Sequence, residues 1–149
     1  MNYQEAINFI ENSHKFGMRL GLENSYKLLE LLGNPQDKLK FIHVAGTNGK
    51  GSVCSFISNT LKEQGYKVGL YTSPYLEDVA KIITIMKNKI EQMAAEGHPY
   101  PTEFEIETAM AFYYYCEQEA DYVVLEVGLG GRYDATNVIK SPLASVIVS

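Results

Sequence analysis

Gly46-Thr47-Asn48-Gly49-Lys50-Gly51-Ser52 is the stretch whose residue types and spacing point most directly to chemistry. Glycines allow successive backbone N–H groups to turn inward around phosphate oxygens, Lys50 supplies a mobile cation, and the Ser52 hydroxyl is a ligand for Mg²⁺. The match to the general phosphate-loop pattern is incomplete, because Gly51 intervenes between Lys50 and Ser52. The plainer alternative is a glycine-rich turn that only joins a strand to a helix. A second candidate is Glu126, at the carboxyl end of the apolar run Tyr122-Val123-Val124-Leu125. Ligands bind at that end of strands in open α/β sheets, so Glu126 is the expected second Mg²⁺ ligand, against the alternative of a structural ion pair. Gly128-Leu129-Gly130 does not make a dinucleotide fingerprint, since the third glycine is misplaced and no helix pattern follows. Ser73, after another strand-like run, reads on its own as part of a turn.

The elements that must position these residues are legible from periodicity. Residues 41–45 form a β-rich run ending at glycine, 51–64 a helix and 66–71 a second strand, which together make a βαβ unit and imply a parallel sheet. Residues 122–127 are apolar almost throughout, the pattern of a central strand buried on both faces. Val79, Ile82, Ile83, Met86, Ile90 and Met93 recur at helical spacing, with Lys81, Lys87, Asn88 and Glu91 on the water side. An aromatic-rich helix is expected over 103–119, one helix over 3–12, and another capped by Asn24 or Ser25 and ending near Gly33-Asn34-Pro35. Residues 15–23 read as a loop. Residues 144–148 read as a last core strand, with no covering helix after it, so the domain looks unfinished.

The 149 residues suit one domain, and no repeat or linker divides them. A net charge of −5, with basic residues scattered, leaves no footprint for a nucleic-acid backbone or an anionic membrane. The N-terminus lacks a signal-peptide pattern, and no apolar run approaches a membrane span. Cys54 and Cys116 form no metal or disulfide pattern and are expected as free, buried thiols of a cytoplasmic protein. The Phe112 to Tyr115 aromatics are expected to pack on the sheet. His43 is expected as a satisfied core histidine, with His14 and His98 in loops. Asp134 and Asn137 suit loop-fixing hydrogen bonds as well as ligand contact.

Taken together and in this order, GTNGKGS at 46–52, TSPYL at 72–76 and EVGLGGRYDATN at 126–137 resemble the N-terminal signatures of the folylpolyglutamate synthase and dihydrofolate synthase family, within the ATP-dependent Mur ligase superfamily. The resemblance implies a three-layer α/β domain of P-loop NTPase type with a mostly parallel sheet, of the Mur ligase central-domain kind, here truncated. It implies an amide ligase in which ATP phosphorylates a carboxylate of dihydropteroate or of a folate's terminal glutamate. The amine of L-glutamate then attacks the acyl phosphate. By position, Gly46, Thr47, Asn48, Gly49, Lys50, Gly51 and Ser52 would hold ATP, with Lys50 catalytic, and Ser52, Ser73 and Glu126 would ligate Mg²⁺. The pterin side would be formed by Gly21, Leu22, Glu23 and Asn24, by Thr102, Glu103, Phe104 and Glu105, and by Tyr133, Asp134 and Ala135. A monomer is expected, with small-molecule substrates only.

Three departures from the family stand out. Asn24 replaces a frequent Arg, the loop after Leu76 is short, and the chain stops before a Gly-x-Asp-His segment. The carbamylated lysine and the C-terminal glutamate-ligase domain are also missing, so residues 1–149 are expected to be a partial ATPase domain, inactive alone. The alternatives are a P-loop phosphotransferase, disfavoured because Arg19 and Arg132 are the only arginines, and a non-catalytic nucleotide-binding fragment.

Overall fold

The computed structural model describes residues 5, 8–9, 21–72, 79–129 and 131–149. Of the first expected helix, residues 5, 8 and 9 are helical, and Phe9 packs against the main core. The rest of that helix lies outside the described residues, as do His14, Ser73 and most of the 15–23 loop.

The described chain runs α1 (Glu23–Leu31), β1 (Phe41–Gly46), α2 (Lys50–Glu63), β2 (Val68–Tyr71), α3 (Val79–Ala95), α4 (Glu103–Glu117), β3 (Tyr122–Glu126) and β4 (Ala144–Val148). Short 3₁₀ turns lie at Pro35–Lys38 and Ala135–Val138. The helix α1 starts earlier than expected, with Leu22 at its N-cap and no capping side chain. Ser25 lies inside it, its hydroxyl drawn to Glu105 instead. Its end is as read, with Gly33 and Asn34 both at positive φ and Pro35 next.

All four strands are parallel, in the order β2-β3-β1-β4. The β1–α2–β2 crossover leaves a slot that β3 fills, and the chain then passes to the other side of β1 to form β4. The order therefore reverses at β1, and ligands of open α/β sheets bind beside the strand ends at such a point. One sheet face meets α1, α3 and α4 through Leu28, Ile83, Met86, Phe112, Val123 and Leu125, all essentially without exposure. The other face meets α2 through Val44, Cys54 and Val124. This is a three-layer α/β sandwich.

Central β3 buries Val123, Val124 and Leu125, as its composition predicts. The expected core strand at 144–148 is instead the edge strand of the described sheet. It pairs only with β1, and Ile147 is 85% exposed. Cys116 is half-buried rather than buried; Cys54 is fully buried, and both are free. Lys81, Asn88 and Glu91 of α3 face water, whereas Lys87 is half-buried. The aromatic helix does pack on the sheet. Phe112 meets Phe41 edge-on with ring centroids 5.0 Å apart, and the Tyr115 hydroxyl donates to the Leu70 carbonyl at 2.8 Å.

The Tyr115 ring lies so close to β2 that a Cβ on Gly69 would stand 2.8 Å from its Cδ1. Gly69→Ala is therefore expected to destabilise the chain by about 1–3 kcal/mol through overpacking. In urea unfolding, Tyr115→Leu should remove most of that penalty in the double variant, and additive losses would contradict the contact.

Candidate functional site

Strand β1 ends in Gly46, whose φ is 139° and whose Cβ position would fall 2.0 Å from the Val148 carbonyl oxygen of β4. Only glycine fits there. Gly49, at φ 80°, then turns the chain into α2 as its N-cap. It has no side chain to cap with, and the first turn carries no acidic residue. The amide donors and positive dipole end of α2 are thus left to whatever anion approaches.

Two side chains flank this helix end. Lys50, the first residue of α2, places Nζ 3.5 Å from the Thr47 carbonyl and 3.9 Å from Glu126 Oε1. Glu126 ends β3, which pairs with β1 in the register Val44↔Glu126, so the carboxylate stands beside the loop that β1 feeds. A Cβ on Gly51 would lie 3.6 Å from Glu126 Oε2, an ordinary contact. Glu126 therefore reaches over the start of α2, as the sequence suggests. Thr47 and Asn48 are exposed, and Ser52 is exposed on the first turn. One turn deeper, burial foremost, then the Glu126 charge, raises the Cys54 thiol to about 11, so it stays protonated at neutral pH.

Hard oxygen donors of this kind suit Mg²⁺, which keeps several waters and takes one or two protein oxygens beside those of phosphate. Ser52 and Glu126 fit that donor set; Ser73 lies outside the described residues. Among the described residues no group of three His, Cys, Asp or Glu side chains forms a ready-made metal cage.

The stretches expected on the pterin side are linked through the start of α4, which meets α1 at Ser25 and the loop after β3 at Gly128. Thr102 and Glu105 form a capping box at the start of α4: Thr102 N–H donates to Glu105 Oε2 at 2.7 Å, and Glu105 N–H donates to the Thr102 hydroxyl at 3.3 Å. The Ser25 hydroxyl donates to the other Glu105 oxygen at 3.0 Å, which ties α1 to α4. Glu105 is thus fully engaged in holding two helix ends. Phe104 lies over Gly128, where a Cβ would be 2.6 Å from its ring and 3.0 Å from Asp134 Oδ2. Asp134 is buried, accepting from Leu129 N–H at 2.7 Å and from the Thr136 amide at 2.9 Å and hydroxyl at 2.5 Å. Asn137 donates to the Arg132 carbonyl. Both therefore fix the loop. Ala135 is buried, Tyr133 is 56% exposed, Leu22 and Asn24 are half-buried, and Glu23 is exposed. Gly21 has φ 125°. Glu103 is half-buried at the first helical position of α4.

Sequence reading takes Ser25 only as a candidate helix cap and does not single out Thr136. His43 is satisfied, with Nε2 2.9 Å from the Thr136 hydroxyl, but it is half-buried rather than a core residue. Its burial lowers the imidazole below its ordinary value, against the opposing pull of the Asp134 charge. The Asp134-Ala135-Thr136 spacing, a side chain positioned to bond the amide two residues on, was the available signal.

A strand feeding a glycine loop into an uncapped helix, with a lysine at the helix start and a carboxylate on the adjacent parallel strand, defines a phosphate-loop α/β domain. Residues 44–148 match the family model of the Mur ligase middle domain, and the chain belongs to that family. It is 42% identical over 164 aligned positions to the dihydrofolate synthase/folylpolyglutamate synthase of Bacillus subtilis, covering 99% of this chain and 38% of that protein. The folylpolyglutamate synthase of Thermotoga maritima superposes with a TM-score of 0.85 at 40% identity, over 99% of this chain and 38% of that one. An FPGS–AMPPCP–folate complex superposes with a TM-score of 0.86 at 34% identity, over 99% and 40%. The chain spans about two fifths of the length of these proteins. No described helix is long and apolar enough to cross a membrane.

Because Glu105 accepts from both Thr102 and Ser25, Glu105→Ala should cost about 1–3 kcal/mol, from a lost cap and a buried hydroxyl left unpaired. Urea unfolding measures this, and a loss below about 0.5 kcal/mol would deny Glu105 that structural role.

Proposed function

We propose that this chain is the ATP-binding portion, residues 1–149, of an ATP-dependent ligase that adds L-glutamate to dihydropteroate or to a folate. The observation that carries the reading is the uncapped start of α2, flanked by Lys50 and Glu126. The matched relatives are named as synthases of this kind, and one solved relative holds both an ATP analogue and folate.

In this reading the amides of residues 46–52 cradle the phosphates, and Lys50 turns from Glu126 toward the γ-phosphate. There it stabilises charge as a substrate carboxylate oxygen attacks phosphorus and ADP leaves. The glutamate amine then attacks the acyl carbon and expels phosphate. Ser52, Glu126 and, by the family pattern, Ser73 would hold Mg²⁺, which would supply positive charge to the phosphate oxygens. Phe104, Tyr133 and Leu129 offer apolar surface to a flat pterin, while Asp134 and Glu105 fix the backbone around it. The protein acts in the cytoplasm as a monomer, with small-molecule substrates only. The Bacillus subtilis alignment runs over 164 positions against 149 residues here, so that relative carries inserted residues this chain lacks.

In the protein expressed from its own gene, phosphate release should require both a pteroate or folate and glutamate. Lys50→Ala should cut the rate at least about a hundredfold, the cost of one preorganised transition-state charge contact. Glu126→Gln should raise the Mg²⁺ concentration needed for half-maximal rate. A Lys50→Ala variant of normal rate would remove the phosphate-loop assignment, and an unchanged metal titration would leave Glu126 as an ion-pair partner of Lys50 only.

A further inference from the structure

Thr136 is wholly buried and its hydroxyl has two neighbours, Asp134 Oδ1 at 2.5 Å and His43 Nε2 at 2.9 Å. The Asp134 carboxylate already accepts the Leu129 and Thr136 amides, so it takes the single hydroxyl proton as a third acceptor bond. The Thr136 oxygen is left with lone pairs toward His43. The imidazole must therefore donate, which fixes the proton on Nε2. Donation runs one way, from His43 to Thr136 to Asp134, while Leu129 N–H donates to the far carboxylate oxygen.

This chain of bonds joins two parts of the site. His43 lies on β1, three residues before Gly46, and is in register with Leu125, the neighbour of Glu126. At the other end, Asp134 holds the Leu129 amide and borders Gly128 and the Phe104 ring. We propose that His43 is a positioning residue, which donates through Thr136 to lock Asp134 and so fixes the 128–134 loop against the strand that carries the phosphate loop. The inference rests on the reading of that loop as the pterin side. It predicts that His43 governs substrate affinity without touching substrate.

His43→Phe keeps an aromatic ring and loses the donor, whereas His43→Gln keeps a donor nitrogen at similar reach. In the protein expressed from its own gene, His43→Phe should raise KM for the pteroate or folate about 3- to 10-fold, one hydrogen bond's worth. Its kcat and KM for ATP should stay within about twofold of the parent, and His43→Gln should restore the KM. Amide exchange at Leu129 and Thr136 should quicken in the Phe variant and not in the Gln variant. If His43→Phe does not fold, Thr136→Val against Thr136→Ser makes the same comparison. An unchanged KM with protected amides, a Gln variant as impaired as Phe, or all constants shifting together would overturn the proposal. Should the parent protein ligate no glutamate, the ligase reading fails, and the amide-exchange comparison alone still decides whether His43 positions the loop.

Discussion

The parallel pairing of β1 with β3, in the register Val44↔Glu126, is the constraint on which the site depends. It brings a carboxylate from one part of the chain alongside a lysine 76 positions earlier, at the end of the sheet where strand order reverses. A one-residue slip would turn Glu126 to the opposite face and bury a charge against a helix layer. Val123, Val124 and Leu125 are fully buried on both faces and tolerate either register, so the slip is opposed by Glu126, which would be driven toward the fully buried position of Leu125.

From that pairing the division of labour follows. Glycines at 46 and 49 adopt conformations that side chains resist, and so let the start of α2 stand open to an anion. Lys50 and Glu126, each about one-fifth exposed, hold one another at 3.9 Å across that opening. A contact this long and partly wet contributes little stability, which leaves both groups available to ligand. Around them the polar groups are committed. Glu105 ties α1 to α4, Asp134 ties the 128–136 loop to itself, and His43 anchors that loop to β1.

What was legible in the sequence was what local pattern controls. The β1–loop–α2 unit, the buried run of β3 and the amphipathic α3 carry their signals within a dozen residues, and their elements fall where periodicity places them. The start of α1 does not, because the Ser25 hydroxyl bonds Glu105, 80 positions away, instead of capping its own helix. The edge position of β4 was equally hidden, since Ala144-Ser145-Val146-Ile147-Val148 reads the same whether or not a layer covers it. Gly46 to Ser52 and Glu126 stand out by residue type and placement as phosphate-side and metal-side candidates, whereas Ser73 enters only through the family resemblance. The His43–Thr136 bond, spanning 93 positions, is not legible, although Asp134 suits loop-fixing bonds as well as ligand contact.

Whether the open start of α2 binds phosphate is decided by titrating Mg·ATP into the isotopically labelled chain and following backbone amides by NMR. The largest shifts should fall on residues 47–52, with Lys50→Ala weakening the response and Glu126 moving in step with Mg²⁺. Shifts centred elsewhere, or a titration indifferent to Lys50, would contradict a phosphate site there.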